Sequence, residues 1–231
     1  MSSSIIQKDL NTRFFLFVKR VLDISLSLIL LTLLLPVIIL CSLFLVFKTR
    51  QNPFFIQERC LTFEHQRFQL IKFRTLYSSN CSRDFPIESK DKNIFYKFNQ
   101  TGSITFLGKI MRTTGLDEVP QLLNILAGSM SLVGPRPLSI EDLKIMEKTT
   151  PELYYKRTLL HSKPGLTGCW QVFGDRNQGV KNLIRYDEFY EEKKSLMLDL
   201  YIIIRSISIM VSAKHSDAII DCKYKIEEKT S

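Results

Sequence analysis

Between Ile24 and Phe47 this chain carries no charged residue. The run exceeds the roughly 20 apolar residues a helix needs to cross a bilayer. It is also too long for a cleavable secretory signal, and no small-residue cleavage site follows it. Such a stretch must be buried, in lipid or in a protein core. Lipid is the expectation, with a long core helix as the alternative.

The flanks of the run bear on how it sits. Lys19 and Arg20 precede it, and Lys48 and Arg50 follow it. A spanning helix usually shows a lysine and arginine imbalance between its ends, whereas here both ends have cytoplasmic character. Pro36, near the middle, removes the helical hydrogen bond to Thr32 and favours a kink. Basic flanks and a central proline together predict a re-entrant helix over Val21 to Phe47. A kinked spanning helix is the alternative. Asp23 stands four residues after Lys19, so it reads either as an i,i+4 partner or as a functional carboxylate at a membrane edge.

The 231 residues suit one further domain beside this segment. Residues 1–20 read as a cytoplasmic lead-in, 48–212 as the domain, and 213–231 as a polar tail. The net charge of +9 fits anionic lipids or phosphorylated substrates. No nucleic-acid partner is expected, because no recognised binding motif accompanies the charge. Five widely spaced cysteines without a CxxC pair read as reduced cytoplasmic thiols, and three scattered histidines make a zinc site improbable.

Along the domain, Pro53 to Glu58 and Phe68 to Thr75 are rich in β-formers and predict two strands joined by a polar loop. Lys72 and Arg74 are two apart and share a strand face, as solvated surface or as phosphate contacts. A short helix or turn is expected over Leu107 to Thr114, and helix over Ile140 to about His161 and Leu183 to about Val211. The last segment is apolar but interrupted by Asp199 and Arg205, which suits a membrane-interface helix or a core helix. The fold class expected is α/β, mostly helical, with a small β-hairpin or sheet and interfacial amphipathic helices.

The chemistry concentrates in Leu116-Asp117-Glu118-Val119-Pro120-Gln121-Leu122-Leu123-Asn124. Two adjacent carboxylates stand there at the start of a short helix. Helix starts favour phosphate through free N–H groups and the dipole. Carboxylates would repel a phosphate unless a divalent cation and arginines intervened. An acidic pair handling a metal-bound, phosphorylated substrate is one reading. In the other, Asp117 is only an N-cap of a helix that Gly128 ends. Gly134-Pro135-Arg136-Pro137 would hold an arginine on a stiff backbone.

Four segments, KFRT (Lys72 to Thr75), LDEVPQLLN (Leu116 to Asn124), SLVGPRPL (Ser131 to Leu138) and KPGLTG (Lys163 to Gly168), occur in this order. Together they closely resemble the bacterial sugar transferase family, the monotopic polyprenyl-phosphate phosphoglycosyl transferases. The similarity runs from about Lys19 to Val211 and is to the small form of that family. It implies transfer of a sugar-1-phosphate from a UDP-sugar donor to polyprenyl phosphate, with release of UMP. It implies Asp117 and Glu118 as the catalytic dyad, with Asp117 as nucleophile and as ligand to Mg²⁺. Arg112 and Arg136 become phosphate contacts, with Lys72 and Arg74 as further candidates. Gln121, Lys163 and Arg176 are candidates for the nucleotide.

The same resemblance implies placement at the bacterial inner membrane, with the catalytic domain on the cytoplasmic face. Membrane lipids and downstream glycosyltransferases are then expected partners. Three features depart from the family pattern. Leu35 stands where serine often precedes the membrane proline, leaving Thr32 to support the kink. The hairpin loop reads Cys60 to Gln66, without the family's glycine. One extra residue precedes Arg176. A non-catalytic homologue and an Mg²⁺-dependent lipid-diphosphate hydrolase are the competing readings.

Overall fold

A computed structural model describes residues 2–77, 103–175 and 178–212. Its first element, α1 (Ser2–Thr49), is one helix that takes in both the lead-in and the apolar run. The core-helix alternative fails on exposure, because only 11% of the most apolar window of α1 is buried. Leu28, Ile29, Leu33, Leu40 and Phe47 all face outward. The helix continues through Pro36. The Thr32 hydroxyl donates to the Leu28 carbonyl at 2.9 Å, one turn before the gap that the proline leaves.

The two expected strands form as β1 (Phe54–Cys60) and β2 (Phe68–Phe73), antiparallel, with Phe54 opposite Phe73 and Arg59 opposite Phe68. A short β6 (Leu138–Ser139) joins the other side of β1, giving the order β2-β1-β6. Two-residue strands β3 (Leu76–Tyr77) and β4 (Ser103–Ile104) pair with each other. The helix α2 (Phe106–Thr114) follows, capped by the Thr105 hydroxyl and ended by Gly115 in the left-handed conformation, φ 70°. Next come a 3-10 turn, Leu116–Gln121, and the helix α3 (Leu122–Ala127), ended by Gly128 at φ 88°.

The segments SLVGPRPL and KPGLTG meet in space. The strand β5 (Ser131–Val133) pairs in parallel with β7 (Gly165–Thr167), Ser131 opposite Gly165 and Val133 opposite Thr167. Glycine is required at the contact. A Cβ on Gly134 would lie 2.2 Å from the Lys163 carbonyl oxygen, and one on Gly168 would lie 2.2 Å from the Gly134 carbonyl oxygen.

Two expected helices are each broken in two. The stretch after Ile140 forms α4 (Ile140–Thr149) and α5 (Pro151–Thr158). Pro151 has no N–H to donate and restricts Thr150 to φ −141°, ψ 61°, which no helix continues through. After the short α6 (Cys169–Phe173), the last stretch forms α7 (Gly179–Lys193) and α8 (Leu196–Val211). Ser195 separates them because its hydroxyl accepts from the Leu198 N–H at 3.2 Å and starts a new helix. On α8, Asp199 and Ile202 point inward. Met197, Leu200, Tyr201, Ile204, Ile207 and Val211 form an exposed apolar stripe at helical spacing.

One apolar cluster joins the site elements, with Val119, Leu122, Leu132, Val133, Cys169, Tyr190 and Ile202 packed together and Leu26, Leu31 and Leu34 of α1 against them. The tail beyond residue 212 lies outside the described residues.

Candidate active site

The carboxylate pair occupies the first turn of the 3-10 segment, and the cap position is Gly115, with no side-chain capping bond. Asp117 is therefore not the N-cap of its own helix. It is 7% exposed, whereas Glu118 is half-buried. The turn packs against β2 and α2. Pro120 lies in the 3-10 turn two residues before α3 begins, so its missing N–H interrupts no α-helical ladder.

Asn124 fixes this segment to the sheet. Its side-chain oxygen accepts from the Ile71 N–H at 3.1 Å, and its side-chain amide donates to the Gln69 carbonyl at 2.6 Å. Those two backbone groups face away from β1, so Asn124 satisfies the free edge of β2 as a neighbouring strand would. Sequence reasoning quoted Asn124 within its motif but assigned it no role. An asparagine buried at 6% exposure on a short helix is the one signal available.

Arg112 lies in the last turn of α2, with its Nε donating to the Thr75 hydroxyl at 2.9 Å. Gly108 makes that approach possible, since a Cβ there would sit 2.7 Å from the Thr75 carbonyl oxygen. The last residue of KFRT thus orients the arginine that precedes the dyad. Lys72 and Arg74 do share a face, and both stand over the Phe55 ring, at 5.3 and 5.7 Å. Arg74 also donates to the Asn52 carbonyl at 3.0 Å. Gln121 is buried at 5% exposure in the dyad turn.

Arg136 belongs to a second assembly, at the end of β5. Its guanidinium lies 5.4 Å above the Trp170 ring. Its backbone is held by two fully buried side chains that sequence reasoning missed, Arg157 of α5 and Asp187 of α7. Burial pushes the Asp187 carboxyl up to about 6, against the opposing pull of the Arg157 guanidinium. Neither residue carried a sequence signal, because each is one of several charges on an ordinary amphipathic helix, beside Lys156 and Glu188 respectively.

Lys163 is placed elsewhere. Its ammonium donates to the Gly128 carbonyl at 2.7 Å, at the far end of α3 from the dyad. Arg20 serves the same helix end, donating to the Ile125 and Leu126 carbonyls at 2.6 and 3.0 Å. Both cations satisfy the open carbonyls of a helix C-terminus. Arg176 lies outside the described residues.

Lys19 and Asp23 do not pair with each other. Lys19 reaches Asp199 of α8 at 2.6 Å and the Val133 carbonyl at 3.0 Å. Asp23 accepts from the Ser131 hydroxyl at 2.7 Å and the Leu132 N–H at 3.0 Å. Tyr190 completes the group by donating to Asp199 at 2.8 Å. Burial raises the Asp199 carboxyl, and Lys19 opposes that rise.

Among the described residues, no three His, Cys, Asp or Glu side chains converge as a metal cluster. Two adjacent carboxylates suit Mg²⁺ all the same. That ion is commonly held by one or two carboxylates plus the phosphates of a substrate.

The chain matches the bacterial sugar transferase family over residues 14–213 and belongs to it. Among its relatives, the UDP-galactose-lipid carrier transferase of Erwinia amylovora is 31% identical over 201 residues, which cover 84% of this chain and 40% of that protein. The exopolysaccharide production protein ExoY of Sinorhizobium fredii is 30% identical over 204 residues, 86% of this chain and 87% of that protein. The UDP-glucose:undecaprenyl-phosphate glucose-1-phosphate transferase of Caulobacter vibrioides is 32% identical over 203 residues, covering 86% and 71% respectively.

Proposed function

We propose that this chain transfers a sugar-1-phosphate from a UDP-sugar to undecaprenyl phosphate, forming the first lipid-linked sugar of a surface glycan. One observation carries the reading. A buried Asp117 stands in the first turn of a helical segment, next to Glu118 and directly after the Arg112 helix, in a chain with a long exposed apolar helix. The names of the relatives agree with a sugar donor and a lipid-phosphate acceptor.

The chemistry divides into two displacements at one phosphorus. An Asp117 carboxylate oxygen attacks the sugar-linked phosphorus, and the bond to UMP breaks. UMP leaves with the electron pair, and a phosphosugar–aspartyl ester remains. A phosphate oxygen of the acceptor then attacks the same phosphorus, and Asp117 departs as carboxylate. A carboxylate nucleophile makes two easier steps from one difficult step. Arg112 and Arg136 would stabilise the charge on the phosphoryl oxygens, and Glu118 would orient the attacking groups. When bound by Asp117 and the diphosphate, Mg²⁺ supplies charge neutralisation.

The membrane arrangement supported best is one-sided. Lys19, Arg20 and Asp23 bind α3, β5 and α8, while Cys41 and Leu45 pack on Phe73 and Met111. The 22 helical steps from Asp23 to Leu45 extend about 33 Å, about one bilayer core. A spanning helix puts its ends on opposite sides of the membrane, yet one compact domain touches both ends here. This favours a helix that enters and leaves on the cytoplasmic face of the inner membrane. The exposed stripe of α8 would then rest in the interface.

The test is UMP release by detergent-solubilised protein with Mg²⁺, a panel of UDP-sugars and undecaprenyl phosphate. Acceptor-dependent UMP is the expected result, and it vanishes in Asp117→Asn. UMP release in water without acceptor would favour a hydrolase, and a folded protein inert to every donor would overturn the reading.

A further inference from the structure

The turn Gly134-Pro135-Arg136-Pro137 has an unusual supply of backbone donors. Pro135 and Pro137 have no N–H, so Arg136 offers the one backbone donor among those three residues. That N–H meets Asp187 Oδ1 at 3.4 Å. The carbonyl of the same residue accepts from Arg157 Nη2. Arg157 Nη1 pairs with Asp187 Oδ2, and Arg157 Nε donates to the Leu61 carbonyl at 2.8 Å. The arginine is 0% exposed and the aspartate 2%.

A buried ion pair of this kind is weak support for stability, because apolar residues of similar volume often hold a core as well. What apolar residues could not supply is a donor and an acceptor for both backbone groups of one residue. The planar fork of Arg157 does so from α5, and Asp187 from α7, while Trp170 backs the guanidinium of Arg136 from α6. Three helices thus converge on a single arginine.

Resting on the reading of Arg136 as a phosphate contact, we infer that Arg157 and Asp187 are positioning residues. They clamp the backbone of Arg136 so that its guanidinium is presented to a diphosphate at a fixed height above Trp170. They touch no substrate themselves and act through Arg136.

A double-mutant cycle tests this. The paired change Arg157→Met with Asp187→Leu removes both buried charges together, so neither is left uncompensated. It is made in the wild-type chain and in Arg136→Ala, and each protein is read twice, as the Kd for UDP by calorimetry and as kcat/KM for UMP release. In the wild-type background the pair is expected to lower kcat/KM about 100-fold, the scale of a 1 Å misplacement, and to weaken UDP in step. In the Arg136→Ala background it changes neither by more than about 3-fold, because effects routed through one shared residue do not add. Equal losses in both backgrounds, or no loss in the wild-type background, would overturn the clamp, as would an Arg136→Ala chain that binds and turns over normally.

Should the paired variant not fold, Arg157→Lys replaces it in the same cycle. It keeps a cation beside Asp187 but lacks the fork needed to reach Leu61, Asp187 and Arg136 together. The UDP arm stands apart from the transferase reading. If the cycle closes on UDP affinity while no donor yields UMP, the clamp holds and the proposed reaction fails.

Discussion

Lys19 and Asp199 are 180 residues apart in sequence and 2.6 Å apart in the fold. Their side chains are only 11% and 10% exposed, so this contact ties the membrane helix to the last helix of the domain through a largely dry ion pair. Replacing Lys19 with Met leaves Asp199 buried beside Tyr190 with its countercharge gone. The expected cost is about 3–5 kcal/mol, read as a lower melting temperature in detergent. Adding Asp199→Leu should return part of that loss, and a double variant as unstable as the single one would refute the pairing.

Asn124 predicts a different failure. In Asn124→Leu the Ile71 N–H and Gln69 carbonyl lose their partner, which costs about 1–3 kcal/mol for two part-buried hydrogen bonds. Because the dyad turn is tied to β2 through this amide, UMP release should fall further than stability alone explains. Hydrogen exchange at Ile71 is the direct check, with faster exchange expected in the variant.

The meeting of Gly134 with the KPGLTG turn allows no side chain. Gly134→Ala would press a methyl group to within 2.2 Å of the Lys163 carbonyl oxygen, where backbone cannot yield cheaply. A loss of at least about 3 kcal/mol is expected, visible as poor recovery of folded protein. A Gly134→Ala variant that melts like the parent would contradict the packing described.

Glu191 should contribute to one part of the acid response, as should the more exposed Glu64. Burial raises the Glu191 carboxyl, but Lys194 at 2.5 Å and the Ser162 N–H at 3.0 Å outweigh that and leave it lowered. A lowered carboxyl contributes stability above its unfolded value, about 4.3, and loses it as pH falls through the folded one. Melting temperature followed from pH 7 to pH 3 should therefore drop less steeply in Glu191→Gln below about pH 4.3. Asp187 and Asp199 are shifted the opposite way, so they do not imitate this limb.

The one-sided membrane arrangement is tested by single cysteines at Thr12 and Gln51 in an otherwise cysteine-free chain. Both positions are exposed, one on each side of the apolar run. In inverted bacterial membrane vesicles an impermeant maleimide should label both. Labelling of only one would establish a spanning helix.

What the sequence revealed depended on how local the cause was. The hairpin of β1 and β2 was legible because its β-formers sit beside one another, whereas α2 read as a short helix or turn until Thr105 and Gly115 were seen to bracket it. The breaks at Pro151 and Ser195 had local signals too, but apolar periodicity ran through both and hid them. Asp117 and Glu118 stood out because arginines and stiff turns surround them, whereas Asp187 beside Glu188 and Arg157 beside Lys156 read as ordinary helix charges whose meaning appears only when α5 and α7 meet. Lys163 illustrates the converse. Its place in a family motif suggested the nucleotide, and what the fold shows is its ammonium on the Gly128 carbonyl at a helix end, a contact no local pattern announced. Lys19 had an obvious neighbour in Asp23, and proximity along the chain misdirected the pairing.

The Val133 carbonyl, bound by Lys19 of α1, immediately precedes the turn that carries Arg136. Anchor and catalyst are consequently one mechanical body rather than a tether and its cargo. Cutting the chain after Thr49 would not liberate a soluble enzyme; it would strip Leu26, Leu31 and Leu34 from the core and leave Asp199 facing solvent across an apolar scar. A graft of this domain onto a foreign anchor would need to carry Lys19, Arg20 and Asp23 with it, because those three side chains hold α8, α3 and β5.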